Sequence, residues 1–281
     1  MVKTSNDYLS DILKLNLKDS EFQWLKSVVA QISKAQSRKD LYMAYSLCTA
    51  KIQDESITDF GSRDFEWKDY LEIQKATTLE ISRVFILSSV LEAGEGFLKP
   101  VQQLIQVADK TELETFLKYL VFLPEPKDFK FAAVEALRTN IATVFNAISQ
   151  YNPYPSEYFT LSEWNQMYLK AAFMQQDLKR IVEIDKMANK DLARIISDYA
   201  HERWAASRDV DPMFWRPVSN FLEGHLIEDV ERLFKSEVER EQKAATLVCF
   251  HSTSVEAKKL LDTYHTHLQK VEQGDITWKN L

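Results

Sequence analysis

Apolar residues recur along this chain with the spacing of helix faces almost from end to end. Between residues 129 and 149, Val134, Leu137, Ile141, Val144, Phe145 and Ile148 fall on one side of a 3.6-residue period. Over 161–175, Trp164, Met167, Tyr168, Leu169, Ala171, Ala172, Phe173 and Met174 cover most of the circumference. Only Glu163, Gln166 and Lys170 make a narrow polar strip, which predicts a helix near the middle of the fold. Over 189–207 the stripe is Leu192, Ile195, Ile196 and Tyr199.

Helix starts carry their own signals. Ser20…Gln23, Thr77…Glu80, Thr111…Glu114, Thr160…Glu163, Ser236…Glu239 and Thr253…Glu256 each have the spacing of a capping box. Asp211-Pro212 reads as an N-cap followed by proline at the first helical position. The predicted helices are 5–15, 20–35, 38–53, 63–75, 78–92, 97–108, 112–123, 129–149, 161–175, 189–207, 212–222, 225–235, 237–250 and 254–269. No strand-like alternation of useful length competes with them.

The expected class is therefore all-α, in a single domain over 1–281 with a flexible tail over 270–281. The last three helices are joined by very short turns, and the middle one is rich in alanine. That rhythm suggests stacked antiparallel helix pairs, an α-solenoid-like (HEAT- or armadillo-like) arrangement. An irregular closed helical bundle is the alternative.

Composition removes several functions. The chain has five glycines in 281 residues, and neither GxGxxG nor a Walker GK[ST] can be written, which argues against a nucleotide-binding α/β enzyme. A net charge of −7 makes nucleic acid an unattractive partner. Cys48 and Cys249 sit in apolar helical stretches as free thiols. The most apolar run, Val84 to Leu91, is too short for a bilayer and the N-terminus lacks a signal core, so a cytoplasmic protein without an integral membrane segment is expected. There is no GxSxG, and His201-Glu202 is not part of an HExxH because Ala205 follows four residues after His201. His265 and His267 diverge on a helix. No catalytic residue, metal ligand or cofactor is expected.

What composition leaves unexplained is a set of polar residues on apolar faces. At 100° per residue Arg203 falls within the stripe of the 189–207 helix, with Glu202 at its edge. An unpaired buried guanidinium costs about 3–5 kcal/mol, so a carboxylate (Glu135, Asp185 or Glu202) or a ligand anion is expected beside it. Asn165 lies inside the apolar arc of its helix, and Arg138 and Asn140 flank the 129–149 stripe.

These segments carry a family resemblance. Arg138-Thr139-Asn140, Asn152-Pro153-Tyr154-Pro155, Trp164-Asn165-Gln166-Met167 with Lys170, and Tyr199-Ala200-His201-Glu202-Arg203-Trp204 before Arg208 resemble the EboA family of bacterial metabolite-traffic proteins. The resemblance covers roughly residues 110–265, and residues 1–95 carry no match to it. It implies a gene cluster containing a prenyltransferase, a sugar-phosphate-cyclase-like enzyme, a xylose-isomerase-like protein and hydrolase homologues, which makes or moves a small metabolite. The expected partners are that metabolite and other cluster proteins, with a role of scaffold or binding protein; an enzyme of unrecognised type, with Glu202 as acid or base, is the rival. Two readings of the polar residues stay open. One is a buried network holding helices in register. The other is a pocket in which Arg138, Asn165, Lys170, Glu202 and Arg203 hold an anionic or hydroxylated molecule between Trp164, Trp204, Trp215, Tyr154 and Tyr158.

Overall fold

A computed structural model of the chain describes residues 4–61 and 67–281. Among these residues it is all-helical, with one isolated antiparallel bridge between Ser56 and Thr77 and no strand. No described helix is long and apolar enough to cross a membrane. The chain divides into two compact units, Met1–Tyr154 and Pro155–Leu281.

The first unit is organised by the helix Thr78–Glu92. Its start is a capping box: the Thr77 hydroxyl accepts from the Glu80 N–H, and the Glu80 carboxylate accepts from the Thr77 N–H. Eleven of its fifteen residues are buried, so it has no solvent face and must be surrounded. The helices Ser5–Asn16, Asp19–Ala35, Arg38–Lys51 and Lys110–Lys118 pack on it. Lys68–Ile73 is helical, whereas the beginning of the predicted 63–75 helix lies partly outside the described residues.

The continuous helix expected over 129–149 is two, Lys130–Ala136 and Ala142–Ser149. The break falls at Arg138-Thr139-Asn140, where the Thr139 hydroxyl accepts from the Ile141 N–H at 3.0 Å. A short polar side chain competes there with the helical ladder. Ile141, a member of the expected stripe, is 50% exposed as a result.

In the second unit the segment Pro212–Phe221 is a 3₁₀ helix, with seven of its ten residues buried. Asp211 caps it by accepting from the Met213 N–H, Pro212 opens it as expected, and Pro217 denies it an α-helical ladder. Lys190–Ala205 and Glu239–Phe250 pack against it. Tyr168, from the helix Leu161–Phe173, stacks on Phe214 at 5.3 Å and donates its hydroxyl hydrogen to the Met213 carbonyl.

Leu268–Glu272 is helical, and Ile276, Trp278 and Leu281 are buried. Apolar side chains at this spacing dock the segment, and Asn280 closes it by accepting from the Thr277 N–H and donating to the Asp275 carbonyl.

Of the six expected capping boxes, those at Thr77 and Thr160 form. Elsewhere a neighbour takes the role: Asp109 with Glu112 instead of Thr111, and Ser254 instead of Thr253. Glu21 accepts from the Lys18 N–H where Ser20 was expected to cap. Val238 begins the next helix without any side-chain cap, while Ser236 accepts from the Val238 N–H.

Candidate functional site

Arg138 belongs to the first unit, where it is exposed and pairs with Glu135 at 3.3 Å. Tyr154 ends the same unit, whereas Trp164, Asn165, Lys170, Glu202, Arg203 and Trp204 belong to the second. Trp164 is fully buried, and its indole N–H has no acceptor among the described residues. Asn165 is 4% exposed and exchanges two amide hydrogen bonds with Asn189, at 3.1 and 2.9 Å. Asn189 in turn caps the helix Lys190–Ala205 by accepting from the Leu192 N–H. Asn165 thus fixes the rotamer of a helix cap. We expect Asn165→Ala to lower the stability of this unit by about 1–2 kcal/mol, read from the urea midpoint. Lys170 is half-buried, and that burial lowers its ammonium below the usual lysine range. Glu202 is exposed.

Arg203 does not need the buried carboxylate expected of it. The helix ends at Ala205, so the last turn leaves the core and Arg203 is half-exposed. Its Nε and Nη2 donate to the Asp209 carbonyl at 3.0 and 2.9 Å. The expected partners are engaged elsewhere: Glu135 with Arg138, and Asp185 with Arg216. The backbone around Arg203 forms a Schellman motif, in which Arg208 N–H donates to the Arg203 carbonyl and Ser207 N–H to the Trp204 carbonyl. Ser207 supplies the left-handed residue, with φ of 53°. Arg203 therefore clips the turn that carries Arg208.

Trp204 borders a cavity. Its ring stacks at 5.8 Å on Trp215, which is fully buried and so fixes the orientation of its neighbour. The Arg232 guanidinium lies 4.2 Å from the centre of the Trp204 ring, within cation–π range. The cavity is about 510 Å³ and is bordered by Trp204, Arg208, Asp209, Arg232 and Lys235. Lys235 is held by Glu231 at 2.8 Å. No described carboxylate lies within ion-pair distance of Arg208 or Arg232. Val238 and Glu241, in the uncapped first turn of Glu239–Phe250, complete the border.

Beside this shelf is a contact not anticipated from the sequence. Asp229 is 3% exposed and accepts from the Ser197 hydroxyl and from His201 Nε2, each at 2.6 Å. The His201 ring is 5.5 Å from that of Trp204. An acid buried on the apolar face of the helix His225–Phe234 was the available signal, because a buried carboxylate requires donors. Arg232 carries no such signal in the sequence, and Arg208 enters the sequence reading only at the end of a motif of the family resemblance.

The thiols are unsuited to nucleophilic chemistry, since burial pushes Cys48 and Cys249 each up to about 12. Among the described residues no three His, Cys, Asp or Glu side chains are grouped to hold a metal ion.

No curated protein and no solved structure matches the chain. A family model does, described as metabolite traffic protein EboA, and it matches residues 5–219. That span takes in the N-terminal helices that the sequence resemblance did not reach, and it stops before the last helices that the resemblance included. The match covers most of the described helices, including those that bear Trp164, Asn165, Arg203 and Trp204, and the chain belongs to the EboA family.

Proposed function

We propose that this chain is a non-catalytic, cytoplasmic binding protein of metabolite traffic that holds a small anionic metabolite on the shelf made by Trp204, Arg208 and Arg232. The observation that carries the reading is that two arginines without an ion-pair partner among the described residues border one cavity beside an oriented indole. Its size, about 510 Å³, is that of a small-molecule site. Arginine guanidinium groups bind carboxylate or phosphate bidentately, and the indole face accepts a planar or apolar portion. Family membership supplies the setting of metabolite traffic. The stacked helix-pair arrangement belongs to the same proposal: His225–Phe234, Glu239–Phe250 and Val255–Thr263 pack in succession, and a stack of this kind presents its loops and helix ends along one surface for cluster enzymes.

The test is retention. The purified protein is equilibrated with an extract of cells that express it, washed and denatured, and the released molecules are read by mass spectrometry. The wild type is expected to retain an acidic compound, and the Arg208→Ala/Arg232→Ala variant to bind it about a hundredfold or more weakly. Equal retention by the two proteins would sink the anion shelf.

An enzymatic reading draws on the buried Asp229 carboxylate, which orients His201 one turn from Trp204. It requires conversion of the retained compound by the wild type and loss of conversion, with unchanged retention, in His201→Gln. Absence of conversion by the wild type supports the binding role.

A further inference from the structure

A second cleft in the Pro155–Leu281 unit is larger, about 670 Å³, and its chemistry differs from that of the shelf. Leu247, Phe250, Ile276 and Trp278 provide apolar walls. Arg216 and Asp185 border it as a two-pronged pair, with Nε to Oδ1 at 2.8 Å and Nη2 to Oδ2 at 2.6 Å. That pairing occupies both carboxylate oxygens and cancels both charges, so neither group draws an ion into the cleft. His251 and Asn220 lie exposed on the border and offer hydrogen bonds, and Lys279 sets a solvent-exposed ammonium at the rim, where water screens it.

The wall made by Ile276 and Trp278 is already in place. The Asp275 and Ile276 N–H groups both donate to the Lys270 carbonyl, Asn280 bridges Thr277 and Asp275, and Lys179 Nζ donates to the Leu281 carbonyl at 3.2 Å. A wall fixed in this way costs a ligand little ordering entropy. The four apolar wall residues also lie beyond the span matched by the family model, which ends at residue 219.

We propose that this cleft is a separate binding site for an uncharged, hydroxyl-bearing aromatic or alicyclic molecule. Its ring body packs between Phe250 and Trp278, and its hydroxyl groups meet His251 and Asn220. The recognition differs from that of the shelf: apolar area and hydrogen bonds bind the ligand, in place of paired arginines.

The probe is N-phenyl-1-naphthylamine, an uncharged aromatic fluorophore. Titrated into the full chain, it should bind saturably at one site, with blue-shifted emission sensitised by the neighbouring indole of Trp278. Trp278→Phe should remove most of the sensitised emission. Phe250→Ala, at a residue already 41% exposed, should weaken binding about fivefold or more with an unchanged circular dichroism spectrum. Arg208→Ala/Arg232→Ala should leave the titration unaltered, which separates this site from the shelf. The proposal is overturned by non-saturable binding, or by a titration that Phe250→Ala and Trp278→Phe leave unchanged.

Discussion

Replacing Glu112 with alanine will destabilise the Met1–Tyr154 unit by about 3–5 kcal/mol. Its partner Arg83 is 2% exposed, on the fully enclosed helix Thr78–Glu92. Arg83 Nη2 lies 3.7 Å from Glu112 Oε1, and the guanidinium sits 5.5 Å from the centre of the Tyr45 ring. Arg83 Nε has no acceptor. Without Glu112 the cation has no opposing charge at contact distance and cannot neutralise itself, because an arginine does not deprotonate in a protein. A smaller loss is added at the helix Lys110–Lys118, where Glu112 accepts from the Asp109 N–H at 3.1 Å. The other half of that capping box, the Glu112 N–H donating to Asp109, survives the substitution. Urea unfolding followed by circular dichroism measures the effect. The double variant Arg83→Met/Glu112→Leu should recover most of it, since a buried ion pair and a well-packed apolar pair are often of similar stability. A loss below about 1 kcal/mol in the single variant would mean that Arg83 is not held by Glu112.

Arg83 also shows where the sequence stops being legible. Helical class and most helix positions follow from apolar spacing, because burying a face is what a helix of either unit has to do. Spacing cannot say where a helix ends. A 100° count projected Arg203 onto a buried stripe, but Lys190–Ala205 terminates in the same turn, and a residue at a helix end faces the loop instead of the core. The Arg138-Thr139-Asn140 break was hidden for a similar reason. The apolar period continues across it, while the competing hydrogen bond from Ile141 N–H to Thr139 is a local event that a period does not register. Capping chemistry was read correctly in kind but often one or two residues out of place, since several neighbouring residues can offer an oxygen to the same N–H groups. The shelf itself joins residues that are separated in sequence. Trp204 was visible as an aromatic beside charges, but Arg232 reaches it only because His225–Phe234 packs on Lys190–Ala205.

Trp164→Ala will cost the Pro155–Leu281 unit about 3–5 kcal/mol, and this result decides between two roles that the sequence left open. Trp164 is fully buried, and truncation removes the largest kind of side chain from a packed interior that relaxes only partly. The indole N–H adds no hydrogen bond to that loss, because it has no acceptor among the described residues. Trp164→Phe should therefore be much milder, about 1–3 kcal/mol: it keeps a ring, deletes an unpaired donor and leaves a small void. A residue lining a ligand pocket behaves in the opposite way, since its truncation barely alters the unliganded protein and weakens retention of the ligand. The pair of variants is read by urea midpoints without ligand and by metabolite retention in Trp164→Phe. The expected outcome is a large stability loss for alanine and unchanged retention for phenylalanine. A stable alanine variant that no longer retains the compound would move the binding site from the Trp204 shelf to the helix Leu161–Phe173.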